Sequence, residues 1–396
     1  MRKFLLLAFS IFLLAGCSSK TTEKEISFWT LQMGDFAPYL NEVIQNYEES
    51  HPDIKIKWID VPFSEGEKRT LAAVMTDCPP DLINLNPDFS ALLAQKGTLQ
   101  EIDSSYLSEF TPDIVESLKY NGKVYSIPWY ATSAITIYNK ELLEKSGVNN
   151  LPKTYDDLSK ISNRIKEKTG AYSYLPTITE NDTMVKILNK YGVSEIKDFN
   201  SQQSQKVFEM FKDLYQKDLI PQETITMTHR EALEQYMAGK IVFYQGGANF
   251  LNMIKENAPK IYVQTDVSEQ IKGSIGQNDF SLMNFVIPLR AKYKQEALDF
   301  CLYLTNEENQ LKLAKLTNII ATNSNALNDN FYNDYSELTA KSRSISAKQI
   351  QKINPALKQK DGQKEINLQI NTAVQSILLN KDSVENILNK LVENMQ

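Results

Sequence analysis

Histidine and cysteine are scarce in this chain, at two and three residues of 396. No metal-ligand spacing links the cysteines. His51 precedes Pro52 at an expected helix end, where it reads as a surface cap. That leaves His229 as the one plausible general base, and no Gly-x-Ser-x-Gly elbow is present. Both facts argue against a Ser-His-Asp hydrolase. There is no basic run long enough to track a phosphate backbone, so nucleic acid is not an expected partner. The apolar run from Phe4 to Ala15 is too short for a bilayer span, which takes ~20 residues. Gly246-Gly247 has neither a P-loop lysine in register nor a third glycine, which argues against a nucleotide site. No internal repeat is visible.

Arg2-Lys3, the apolar run and the small residue Gly16 before Cys17 have the pattern of a secretory signal, residues 1–16. Leu14-Ala15-Gly16-Cys17 resembles a bacterial lipobox, which implies lipidation of Cys17 after export. Residues 17–24 are small and polar and read as a tether. Removing residues 1–16 leaves 380 residues, more than one core usually supports, so two lobes are expected. Losing Arg2 and Lys3 takes the net charge from −6 to −8. A hydrophobic content of 42% fits a folded globular chain. Cys78 and Cys301 remain, and the sequence leaves open a disulfide or two buried free thiols.

The organising stretch runs from Gly122 to Lys140. Val124, Ser126 and Pro128 alternate with Tyr125, Ile127 and Trp129, and the β-branched run Ile135-Thr136-Ile137-Tyr138 follows. Pro128 fixes its own φ and biases Ile127 to extended geometry. We read this stretch as the passage from one lobe to the other. Before it, strands at Ile26–Thr30, Ile54–Trp58 and Asp81–Leu85 alternate with helices, one of them at Glu67–Met75. That order predicts a parallel sheet with helices on both faces. In such a sheet ligands bind beyond the carboxyl ends of the strands. The corresponding loops hold Trp29 and Thr30; Pro62, Phe63, Ser64 and Glu65; and Asn86 and Asp88.

After it the pattern is mainly helical, with Thr154 and Asp157 spaced for a capping box. The strand Ile241–Tyr244 leads into Gln245-Gly246-Gly247-Ala248-Asn249, where the glycine pair is expected to leave amides free at a helix start. Asp279–Pro288 reads as a returning strand, 318–325 as a third crossing, and Ile366–Leu379 and Val384–Met395 as terminal helices.

Three segments carry a family resemblance: Tyr125–Tyr130, Ile137–Gly147 with Pro152–Leu158, and Pro79–Asp103. They resemble the extracellular solute-binding proteins of ABC importers, and more narrowly the sugar-binding lipoproteins related to maltose- and glycerol-phosphate-binding proteins. The resemblance implies an α/β, two-lobe, type II periplasmic-binding fold, each lobe a mainly parallel sheet flanked by helices. The lobes are expected at 25–128 plus 284–320 and at 129–283 plus 321–396. It implies a monomer without cofactor that grips a sugar by hinge closure. The partners implied are the permease subunits of a membrane importer and, through the lipid anchor alone, the membrane.

A sugar site takes aromatic platforms and fixed polar groups. Trp29, Trp129, Tyr130, Tyr244 and Phe280 are the candidate platforms. Glu65, Asn86, Asp88, Asn249, Asp279 and Asn284 are the candidate polar groups, and Gly246 and Gly247 the candidate backbone donors. Each has a plainer reading: Trp29 as core, Asp88 as a helix cap, Asn86 as a turn former, Trp129 and Tyr130 as interlobe packing. Ala248 stands where the family commonly has a stacking aromatic. That departure keeps glycerol 3-phosphate or a related phosphodiester as an alternative ligand. A secreted glycoside hydrolase, with two carboxylates facing across a bond, is the alternative from another class.

Overall fold

The computed structural model describes residues 23–276, 278–317, 319–350, 363–379 and 382–395. The signal segment, Cys17 and all but the last two tether residues lie outside this range. The chain opens with β1 (Lys24–Leu31), α1 (Ala37–Ser50), β2 (Ile54–Val61), α2 (Phe63–Val74), β3 (Leu82–Leu85), α3 (Pro87–Gln95) and α4 (Pro112–Ser117). A short hairpin, β4 (Lys119–Tyr120) and β5 (Lys123–Val124), leads into the long strand β6 (Ile127–Asn139). Then come α5 (Lys140–Lys145), α6 (Tyr155–Thr169), β7 (Tyr172–Tyr174), α7 (Thr183–Lys190), α8 (Gln202–Gln216), α9 (His229–Met237) and β8 (Ile241–Gly247). They are followed by α10 (Phe250–Asn257), α11 (Pro259–Gln264), β9 (Thr265–Glu269), β10 (Phe280–Val286), α12 (Lys294–Leu304) and α13 (Glu307–Thr317). The chain closes with β11 (Ile320–Ala321), α14 (Ser324–Leu327), α15 (Leu338–Ile350), α16 (Gln363–Leu379) and α17 (Val384–Met395).

Local chemistry explains several boundaries. Thr154 and Asp157 close a reciprocal capping box on α6, and Gly170 ends that helix at φ 73°. Asn139 caps α5 through Leu142 N. His51 occupies the C-cap of α1 with its ring stacked on Tyr47 at 4.1 Å. α2 starts earlier than its apolar pattern suggests, directly after Pro62. Gly66 fits there because a Cβ would stand 2.6 Å from Leu31 Cδ2.

The sheet order is β2-β1-β3-β10-β6-β8-β7, with β9 and β11 also on β6. β1 pairs parallel with β2 and β3, and β7 with β8. β6 runs antiparallel to each of its partners, β10, β11, β8 and β9. Its first half, through Ser133, pairs with β10 and β11, and its second half, from Ala134, pairs with β8 and β9. One strand therefore belongs to two packing units.

Two main cores flank that change of partner. The first holds Phe28, Ile127, Trp129, Leu282, Phe285 and Phe300. The second holds Tyr155, Phe208, Phe211, Phe243, Ile370 and Leu388. Ala326, Leu327, Tyr332, Ala347 and Ile350 also pack in the first core. The crossings thus fall at Ser133–Ala134, within residues 270–279 and along α15. The expected breaks at 128/129, 283/284 and 320/321 are displaced, because strand pairing and burial carry on past each proline or turn signal. Cys78 is exposed and Cys301 buried, and both are free thiols, so no disulfide joins them.

Candidate ligand-binding site

The three crossings meet in one buried polar cluster. Gln349 Nε2 donates to Ser133 Oγ at 3.0 Å and to Ala134 O at 2.9 Å. Gln270 N donates to Gln349 Oε1 at 2.9 Å, and Gln270 Nε2 to Asp279 O at 3.1 Å. These hydrogen bonds join β6, the segment between β9 and β10, and α15.

Most conspicuous first-lobe residues are engaged within that lobe. Trp129 is fully buried, stacked on Phe285 at 4.5 Å, and its Nε1 has no partner among the described residues. It is a core residue: Trp129, Ala131 and Ser133 share the buried face of β6, while Tyr130, Thr132 and Ala134 on the other face are half-buried. Tyr130 is half-buried, edge-on to Phe36 at 6.3 Å, with its hydroxyl 3.6 Å from Met33 Sδ. Burial pushes the Tyr130 phenol above its ordinary value. Trp29 is half-buried beside the β1–β3 core, with Arg69 5.7 Å over its ring. Glu65 is not in a loop: it sits in the first turn of α2, exposed, 3.8 Å from Arg69. Asn86 caps α3, its Oδ1 accepting from Phe89 N at 2.8 Å. Asn284 is fully buried and donates to Ser90 Oγ at 2.8 Å. Phe280, half-buried, packs on the first core.

In the second lobe, Tyr244 is buried within 5.0 Å of the His229 ring and 5.8 Å of Phe250. Gly246 and Gly247 do not open a turn. They continue the β8 ladder opposite Ile135 and Ala134. The glycines are strand and not helix start: the ladder extends two residues beyond Gln245, and in an antiparallel pair only alternate amides face the partner strand. Gly246 is needed for packing, since a Cβ would meet Tyr244 Cε1 at 2.5 Å. Asn249 is exposed at the N-cap of α10 and makes no side-chain cap bond. Asp279 is one-fifth exposed and pairs with Lys190 at 2.8 Å.

The electrostatics bring together groups that the sequence pattern did not single out. Asp88 stands in the first turn of α3 with part of its surface open to solvent. Burial and the Asp182 carboxylate push it up to about 6, against the opposing pull of Lys186. Asp182 and Lys186 pair at 3.1 Å on α7. Burial alone would lower Lys186, but Asp182, Asp279 and Asp88 outweigh it and raise the ammonium. Burial and Lys186 hold His229 below its ordinary value. Burial raises Glu180, whose carboxylate accepts from His229 N at 2.6 Å. Asp88 on one lobe thus shares its field with Asp182 and Lys186 on the other. Lys186 and Asp182 carried no sequence signal beyond the amphipathic pattern of their helix.

Residues 42–340 match the family model described as bacterial extracellular solute-binding protein. The chain belongs to this family. The solute-binding chain is similar to a Synechococcus sp. MITs9220 periplasmic-binding protein crystallised in complex with zinc. The TM-score is 0.84 and the identity 26%, covering 93% of this chain and 97% of that one. Its fold is that of the type II periplasmic binding proteins. A Brucella abortus (strain 2308) binding protein is 24% identical over 370 residues, 89% of this chain and 87% of the relative. The arabinooligosaccharide-binding protein of Bacillus subtilis (strain 168) is 26% identical over 190 residues, 43% of this chain and 42% of the relative.

Proposed function

We propose that this solute-binding protein captures a sugar or polyol between its lobes and delivers it to the permease of an ABC importer. The reading places the solute in a groove between Asp88 of the first lobe and the Asp182–Lys186 pair of the second, whose charges meet at 3.1 Å and act on the Asp88 carboxyl. Fixed carboxylates accept strong hydrogen bonds from hydroxyls, and Lys186 donates them. In this reading Asp88, Asp182, Lys186 and Asp279 bind the solute, with Tyr130 and Trp29 at the edges of the groove. The arabinooligosaccharide-binding relative adds support for a carbohydrate. Closure about the hinge would bury the solute, and the ligand stabilises the closed form only by the contacts it adds there.

The phosphodiester alternative draws on Ala248 and on free amides at a helix start, and the glycine pair lies in the β8 ladder instead of at a helix start. The carboxylate surplus also opposes a dianion. We further propose that the mature chain is a lipid-anchored monomer, tethered at Cys17 outside the cytoplasmic membrane, that binds its solute without hydrolysing it.

The test is a thermal-shift panel of neutral sugars, polyols and glycerol 3-phosphate, with chromatography of each incubated oligosaccharide. A ligand at a hundredfold excess over Kd adds about 2.7 kcal/mol, enough to move the melting temperature visibly. Neutral sugars or polyols should raise it and glycerol 3-phosphate should not. No shift with any sugar or polyol overturns sugar capture, and cleavage products overturn the non-hydrolytic reading.

A further inference from the structure

Lys190, the last residue of α7, is 2% exposed, and an ammonium so placed must find partners. Its Nζ has three: Asp279 Oδ2 at 2.8 Å, Ile271 O at 2.8 Å and Gln270 Oε1 at 3.1 Å. All three belong to the 270–279 crossing. The backbone of Lys190 grips the same segment. Its carbonyl accepts from Ile275 N at 3.1 Å, and a Cβ on Gly273 would strike that carbonyl. The crossing is therefore seated on Lys190 from both ends of the residue.

Gln270 extends the seat to the other crossings. Its Oε1 also accepts from Asp279 N at 2.8 Å, and its backbone N donates to Gln349 of α15. Gln349 in turn holds Ser133 and Ala134, where β6 changes partners. Ser133 Oγ donates to Asp279 O at 3.3 Å, which closes the ring. The Asp279 carboxylate is one-fifth exposed, and its field reaches Lys186.

We propose that Lys190 is a positioning residue for the groove: its buried ammonium locks the three crossings in one register and orients the Asp279 carboxylate. The proposal builds on solute capture at the groove but predicts a property of the ligand-free chain. A fully satisfied buried network specifies one geometry, and removing a single member leaves the others unpaired. Lys190 itself would not touch the solute.

Hydrogen–deuterium exchange of the ligand-free protein tests this. Lys190→Met and Gln349→Ala should each raise exchange of the 133–136 and 270–279 amides by about tenfold, with β1–β3 unchanged. Lys190→Met combined with Asp279→Asn leaves no uncompensated carboxylate. It keeps the test readable should the single variant unfold, and it should show the same local loosening. Wild-type exchange at both crossings in a folded variant would overturn the proposal, as would an even loosening of the whole chain. A failed sugar panel would instead strike the functional reading, since no ligand enters this measurement.

Discussion

The two walls of the proposed groove are built from different chemistry. On the first-lobe side the conspicuous rings and amides serve the lobe itself: Trp129 seals the core, Asn86 caps α3 and Asn284 is tied to Ser90. On the second-lobe side Asp182, Lys186, His229 and Asp279 gather around one field. The difference has a physical cause. A large aromatic buries 150–250 Å², worth ~25 cal/mol per Å², so a sheet that needs sealing takes it. An ionisable group resists full burial unless paired, so it stays where water or solute can reach it. At a lobe boundary, a tryptophan beside a strand proline marks the seal, and the charges mark the space left for ligand.

Trp129→Ala is the hardest blow to that contrast. Truncating the ring should cost ~3–5 kcal/mol of unfolding free energy, read from the midpoint of a urea titration at constant slope. Weaker solute binding at unchanged stability would return Trp129 to the groove wall and erase the distinction. Gly246→Ala probes the opposite wall. The new Cβ would crowd Tyr244 Cε1 at 2.5 Å and Phe250 Cδ2 at 3.0 Å. Overpacking there should cost ~1–3 kcal/mol, seen in the same titration. An unmoved midpoint would mean that this wall yields freely and is not preorganised.

How much of this was legible in the sequence depends on range. Local rules are readable: the Thr154–Asp157 capping box and the strand–helix alternation from Ile26 to Leu85 both appear in place. The change of partner within β6 lies at Ser133–Ala134, five residues past Pro128. Alternation along β6 gives two faces but cannot say which one is sealed, and the sealed face is the one that carries Trp129. Asn86 before Pro87 suits a cap and a ligand contact equally, and only the Phe89 N bond decides. The glycine pair resembles a turn because its ladder partners, Ala134 and Ile135, lie more than a hundred residues away. Lys186 and Lys190 look like ordinary lysines on α7 until Asp182, Asp279 and Asp88 are folded around them.

The smallest effect separates the walls by pH. Asp88 is pushed up to about 6 by burial first and by Asp182 second. The folded chain thus favours its protonated form. The stability this group contributes is full below about 4 and is lost as pH rises through about 6. His229 on the other wall works in reverse. Its folded value lies below the ordinary 6.5, so its contribution is present above 6.5 and lost as pH falls through the depressed value. Asp88→Asn removes only the first of these. The melting temperature of the variant relative to wild type should climb between about pH 4 and 6 and level off above. A flat difference across that window would mean that the Asp88 carboxyl is freely hydrated. Asp182 and Lys186 would then not face it across the groove, and the two walls would cease to be one site.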